Sequence, residues 1–257
     1  MIDLHIHTKY SDGTDSVIEV LRKAEKLGLK AIAITDHENC DAYKEIAKID
    51  VGKYFSGRVL HGIELKARYT DRVIDVLGYN IDCEKMEKYL KDCYGNVTRD
   101  EIQDRQLRKF YEYKAKVPAD MWDSFTVFKR NYYHGKGKPF YVDNSVDYPS
   151  LEKIIEIIHK SGGLAFVAHI YEYAWIDDKI AELEKITDGY DIDGIECYHS
   201  IFSLEHIELV KKFCKSRGLL MSGGSDYHGL HKPDIEIGSG KGQLCIPDEI
   251  YERIVEK

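Results

Sequence analysis

The sequence predicts an α/β fold in which a ring of strands and covering helices is interrupted by a helical insertion. Three observations predict it. Ile2, Leu4 and Ile6 alternate with Asp3, His5 and His7, the period of a strand, and a helical stripe and a second short apolar strand follow at once. The same strand–helix rhythm returns after residue 150 and runs to the end of the chain. Between residues 82 and 149 the rhythm stops and charged, aromatic, helix-like sequence takes its place. With 257 residues, 43% of them hydrophobic, the chain is long enough for one large domain carrying an insertion.

The elements follow in order. Thr14 to Leu27 is a helix with Val17, Val20, Leu21, Ala24 and Leu27 on one face; Asp15 or Ser16 can cap it and Gly28 ends it. Ala31 to Thr35 is a buried strand followed directly by Asp36 and His37. Asp41 to Ile49 reads as a second helix. Arg58 to Tyr69 and Arg72 to Ile81 are strands separated only by Thr70-Asp71, which predicts a hairpin. From Glu84 to Phe110 the pattern is helical. After the insertion come a helix from Ser150 to Ser161, a strand from Gly163 to Ala168 ending at His169, and a helix from Asp178 to Thr187. A strand from Gly194 to Tyr198 ending at His199, a helix from Leu204 to Ser216, and a strand from Leu219 to Gly224 leading to Asp226 and His228 complete the series.

Residues 1–81 and 150–257 are thus expected to form one barrel-like unit, and 82–149 an inserted helical cap. Between Arg99 and Lys138 there are ten Lys and Arg against six Asp and Glu, in a chain whose net charge is −8. Phe110, Tyr111, Tyr113, Trp122, Phe125, Phe128, Tyr132 and Tyr133 share that window; most are expected to be the cap's own small core.

Composition narrows the function classes. No apolar run reaches the length of a membrane span. Six scattered cysteines without a Cys-x-x-Cys pair argue against a disulfide framework and against structural zinc, and fit a reduced cytoplasm. The acidic balance argues against a protein that coats long nucleic acid.

The chemistry lies at the strand ends, which deliver His5, His7, Asp12, His37, Glu64, Asp75, His169, Asp226 and His228. His5 and His7 point to the same side of one strand, about 6–7 Å apart along it. Alone, each of these residues has an ordinary alternative: His37 a helix cap, His169 a satisfied core histidine, Asp226 a turn residue. Their repeated placement at strand ends is what counts, because the carboxyl-terminal rim of a barrel gathers such side chains. A mixed imidazole and carboxylate set suits zinc, manganese or iron, with magnesium also able to bind. Two or three such divalent ions held together are the usual device for phosphoester hydrolysis. One ion lowers the pKa of an attacking water and the others neutralise phosphate oxygens and the leaving alkoxide. Glu64, mid-array, has an oxygen for each of two ions.

These motifs carry a resemblance. His5-Ile6-His7-Thr8 with Ser11-Asp12-Gly13, Thr35-Asp36-His37, Gly62-Ile63-Glu64, Ala168-His169 and Gly224-Ser225-Asp226-Tyr227-His228 resemble, in order, the motifs of the PHP (polymerase and histidinol phosphatase) phosphoesterases. The resemblance implies a distorted (β/α)7, TIM-like barrel with a trinuclear metal site. His5, His7, Glu64 and Asp226 would hold one ion; Glu64, residue 75 and His169 a second; Asp12, His37 and His228 a third. Asp226 and His199 would be catalytic, with His199 a phosphate donor or leaving-group acid; its ordinary alternative is a helix N-cap neighbour. This chain departs from the family at Asp75, where His is usual. Asp75 is expected to ligate as a harder donor, the alternative being a salt bridge to Arg72 or Lys66. Lys138 stands where similar proteins carry a phosphate-gripping Arg, and lacks that residue's bidentate fork. Arg99, Arg105, Arg108 and Lys136 are further candidates to face substrate.

The resemblance, with the basic and aromatic cap, implies a phosphatase for a small nucleotide such as a nucleoside monophosphate or 3′,5′-bisphosphate, with short oligonucleotides as further substrates. A phosphatase for a non-nucleotide ester such as histidinol phosphate is the runner-up. A metal-binding scaffold without catalysis is the alternative of another class, and the retention of a coordinating side chain at every ligand position counts against it. Neither long nucleic acid nor a membrane is an expected partner, and nothing in the sequence sets an oligomeric state.

Overall fold

A computed structural model of the chain describes residues 1–94 and 145–257, together with residues 101 and 112. Among the described residues, seven strands neighbour one another in chain order. They are β1 (Ile2–Ile6), β2 (Ala31–Ile34), β3 (Arg58–Tyr69), β4 (Arg72–Tyr79), β5 (Leu164–Val167), β6 (Gly194–His199) and β7 (Leu220–Gly224). Every residue of β1, β2 and β6 is buried, as befits strands covered by helices on one face and packed inside a barrel on the other. The ring nearly closes: the His7 N–H donates to the Tyr227 carbonyl at 2.9 Å and the Asp226 N–H to the His5 carbonyl at 2.9 Å.

The barrel is mixed, as the predicted hairpin requires. β4 runs antiparallel to both β3 and β5, while β1–β2, β2–β3, β5–β6 and β6–β7 are parallel. The cause is the two-residue turn at Thr70-Asp71, with Thr70 at φ 57°, which returns the chain directly beside itself. A parallel neighbour would have needed a crossover of a dozen or more residues. One consequence is that Asp75 is not at a strand end. It lies mid-strand in β4, directly opposite Lys66 of β3.

The helices are set by local chemistry. α1 (Val17–Lys26) starts three residues later than expected. Ser16 accepts from the Glu19 N–H while Glu19 reaches back to Ser16, a closed capping box. α2 (Asp41–Ile46) is shorter than expected, because the Lys48 and Ile49 N–H groups turn to i−3 carbonyls and tighten the chain. β4 stops at Tyr79 because Asn80 takes a left-handed conformation, φ 59°. α3 (Cys83–Tyr94) opens the region expected to be a cap and buries Met86 and Leu90 in the barrel's core. The remainder of the helix expected up to Phe110 lies outside the described residues, apart from residue 101. α4 (Leu151–Lys160) is capped by Ser150 and buries Leu151, Ile154, Ile155, Ile157 and Ile158, each contributing roughly 1.5–3 kcal/mol. α5 (Lys179–Gly189) is capped by Asp178, and α6 (Leu204–Arg217) by Ser203 with Gly218 at its carboxyl end; α7 (Glu249–Val255) follows. No described helix is long and apolar enough to cross a membrane, and the six cysteines are all free.

Candidate metal centre

The expected histidines and carboxylates meet in one pocket at the rim of the barrel. β1 sends His5 and His7 to the same side, and their Nε2 atoms come within 3.1 Å of each other. Glu64 Oε2 lies 3.4 Å from His5 Nε2 and 3.1 Å from His7 Nε2, and Asp226 Oδ1 lies 3.5 Å from both. Beside them His7, Asp12, His37 and His228 each offer a donor atom within 4.8 Å of the others. On the other side His169 Nε2 is 2.8 Å from Glu64 Oε1 and 3.9 Å from Asp75 Oδ2. Glu64, with one oxygen toward each side, is the hinge of the array.

This donor set fits divalent metal ions. It combines five imidazoles (His5, His7, His37, His169, His228) with the carboxylates of Asp12, Glu64, Asp75 and Asp226. Buried donor atoms at His37 Nδ1 and His169 Nδ1 have no hydrogen-bond partner. Without ions the charges are balanced among the side chains themselves. Burial opposes ionisation of Glu64, yet His37, His5 and a hydrogen bond from His169 hold its carboxyl well below the usual range. Asp226 is likewise held well below, by His5, His199 and Lys232 against the cost of burial.

A second layer orients the first. Glu196 Oε1 accepts from His5 Nδ1 at 2.8 Å, which leaves the His5 Nε2 lone pair facing the pocket. Its other oxygen accepts the His169 N–H at 2.7 Å. Asp36 accepts from the Thr8 N–H at 2.7 Å and from the Ser11 hydroxyl at 2.5 Å, fixing the loop after His7. Asp3, directly below His5 in β1, accepts from the N–H groups of Ser225 at 2.9 Å and Gly238 at 2.6 Å. Backbone strain gathers here too: Glu38, His169 and Asp226 have φ of 51°, 23° and 57°. Gly224 is required, because a Cβ there would sit 2.2 Å from the His5 Cβ.

His199 is not a helix-cap neighbour, since Ser203 caps α6. It ends β6 fully buried, with Nε2 3.4 Å from Asp226 Oδ2. Its Nδ1 accepts a long 3.4 Å bond from the Ile201 N–H, so Nε2 carries the proton and presents it to the pocket. Asp75 forms the salt bridge posed as the alternative to ligation: its Oδ1 accepts from Lys66 Nζ at 2.8 Å, while Oδ2 lies 3.9 Å from His169 Nε2. His206, in the first turn of α6, accepts from the Ser203 N–H at 3.4 Å and stacks on Tyr171 with ring centroids 3.7 Å apart. Arg99, Arg105, Arg108, Lys136 and Lys138 lie outside the described residues.

Two residues of the pocket escape the sequence reading. Glu196 carried a signal, a lone carboxylate inside a wholly buried strand. Lys232 carried none; it reaches Asp226, which it contacts through Nζ, from a short turn. Lys66, expected only as an alternative salt-bridge partner of Asp75, is set beside it by the β3–β4 register.

The sequence is 25% identical over 253 residues to a 5'-3' exoribonuclease of Haemophilus influenzae, covering 88% of this chain and 89% of that protein. It is 24% identical over 263 residues to a 3',5'-nucleoside bisphosphate phosphatase of Chromobacterium violaceum, covering 92% and 90%. The fold matches a solved structure described as an amidohydrolase from Chromobacterium violaceum with a TM-score of 0.75. The two are 24% identical, and the match covers 99% of this chain and 96% of the other. The PHP domain itself matches residues 3–198, most of the chain, and so places this protein in the PHP domain family.

Proposed function

We propose that this protein is a metal-dependent phosphoesterase that hydrolyses a phosphate ester of a small nucleotide. The observation that carries it is the convergence of His5, His7, Asp12, His37, Glu64, His169, Asp226 and His228 in one rim pocket. His5, His7, Glu64 and Asp226 would hold one ion, and Asp12, His37 and His228 another. Divalent ions there supply an activated water and neutralise charge on phosphate. Manganese, zinc and iron suit the donors, magnesium less so.

The protein's own residues do the rest. Glu196 holds His5 in the tautomer that leaves Nε2 free to bind. His199 presents a proton from Nε2 at the mouth of the pocket, where it donates to a phosphate oxygen or to the departing alkoxide. Lys232 is drawn to Asp226 as the side chains stand, and with that carboxylate engaged by an ion it is placed to meet substrate phosphate. The relatives named for bisphosphate hydrolysis and for 5'-3' cleavage of RNA support a nucleotide substrate. On this reading Lys138, Lys136, Arg105 and Arg108 of the expected cap, all outside the described residues, are phosphate contacts. The free cysteines suit a reducing, cytoplasmic setting.

The test is phosphate release by the purified, manganese-loaded protein. The substrates are adenosine 3',5'-bisphosphate, adenosine 5'-monophosphate, a short 5'-phosphorylated oligonucleotide and histidinol phosphate. Turnover of the nucleotides above histidinol phosphate is expected. A protein that ignores every nucleotide and cleaves histidinol phosphate or another sugar phosphate would overturn the substrate assignment.

A further inference from the structure

The side of the pocket built by the β3–β4 hairpin contains a cation of its own. Lys66 and Asp75 face each other across the two strands, and the ammonium is 2.8 Å from Asp75 Oδ1. The same lysine's backbone N–H donates to Glu38 Oε1 at 3.0 Å, which brings that carboxylate beside it. Glu64 lies on the same face two residues earlier in β3. Asp75 pairs with this ammonium directly, and the negative charges of Glu38 and Glu64 reinforce its positive charge, at the place where Glu64, Asp75 and His169 approach one another. The Asp75 backbone N–H donates to the Tyr173 hydroxyl at 2.6 Å, which fixes this stretch of β4.

We propose that Lys66, locked by Asp75, stands in place of a third metal ion, so that the centre holds two ions and one ammonium. The inference rests on the metal-centre reading of the pocket. A dication bound by Glu64, Asp75 and His169 would have to compete with Lys66 for Asp75 and would be repelled by it at close range. With Asp75 Oδ1 held by Lys66, that site is left with His169, a Glu64 oxygen shared with the neighbouring ions and the outer oxygen of Asp75, all close to the ammonium's repulsive charge, a poor set for holding an ion firmly. The ammonium supplies a fixed positive charge on the same side of the pocket, as a point charge with three donors that can meet a phosphate oxygen.

The experiment counts bound manganese per chain by inductively coupled plasma mass spectrometry after equilibrium dialysis, for the native protein and for Lys66→Met/Asp75→His. The double variant removes the ammonium and supplies an imidazole. Two ions in the native protein and three in the variant are expected. Three ions in the native protein, or two in a variant whose circular dichroism is native, would overturn the proposal. If the double variant does not fold, Lys66→Met alone decides, since it frees Asp75 and should raise the count to three; a count that stays at two refutes the role of Lys66. Fewer than two ions in the native protein would sink the metal-centre reading itself, which keeps the two failures distinct.

Discussion

The two flanks of the pocket are built by different strand geometry. On the flank of β1, β2 and β7 the strands are parallel, and the candidate ligands hang from their carboxyl ends or the loops just past them: His7, Asp12, His37, Asp226 and His228. On the flank of β3 and β4 the donors lie within the strands of a hairpin, Glu64 in β3 and Asp75 in β4. Parallel strand ends free the side chain from cross-strand partners, so imidazoles there gather against one another, with His5 and His7 Nε2 atoms 3.1 Å apart and His7 stacked on His228. A hairpin pairs each residue with one opposite, so Asp75 meets Lys66 before it meets anything in the pocket. One flank is therefore rich in uncommitted imidazole donors, and the other is partly satisfied by its own ion pair.

Five measurements break or sharpen that contrast. The largest effect is expected from Glu64→Gln, because Glu64 serves both flanks. Phosphatase activity should fall by about 10³-fold, the equivalent of losing several kcal/mol of charge stabilisation, and manganese content should drop with it. Chelation with EDTA should abolish activity while leaving far-UV circular dichroism unchanged, since imidazoles and carboxylates pair directly in the metal-free pocket. Unfolding on chelation would show that the flanks cannot stand without ions.

Glu196→Gln comes next and tests the support behind His5, together with the acceptor of the His169 N–H. Titration calorimetry should show manganese affinity weakened by about 10–100-fold, the usual cost of losing a carboxylate behind a ligating histidine. Unchanged affinity would mean that the His5 tautomer is set by something else. Gly224→Ala forces a Cβ into His5 and should cost about 1–3 kcal/mol, read as a drop of several degrees in Tm. An unaltered Tm would show that β7 can draw away from β1. The smallest effect is expected on the hairpin flank. Tyr173→Phe removes one hydrogen bond to the Asp75 backbone, worth about 0.5–1.5 kcal/mol and read as a small drop in Tm, and should leave manganese content unchanged.

The flanks also differ in how far they could be read in advance. Period two in Ile2–Ile6 is enough to put His5 and His7 on one side, and short apolar runs ending in His or Asp announce β2, β5 and β7. The turn at Thr70-Asp71 announces a hairpin, though not that it reverses Asp75 from a strand end to a strand middle. Lys66 was legible only as one of two alternative salt-bridge partners of Asp75, because which residue of β4 stands opposite it is set by register, a tertiary quantity. Lys232 depends on a short turn that periodicity does not mark. Glu196 was within reach, since a buried strand has no other reason to carry a carboxylate. Helix ends were misjudged by a few residues where caps and tightened turns decide them, as at Ser16 and after Ile46.

Asp3 has a further consequence, for the time course of folding. Beneath His5 it holds Ser225 and Gly238, residues 222 and 235 positions away along the chain. Contacts that distant form only after the intervening chain has been ordered, because the loop entropy must be met first. The pocket is then among the last parts of the molecule to assemble, and a nascent chain that has not released its last strand has no pocket at all. Metal uptake during refolding should accordingly lag the recovery of helical circular dichroism, which makes bound manganese a marker of completed folding.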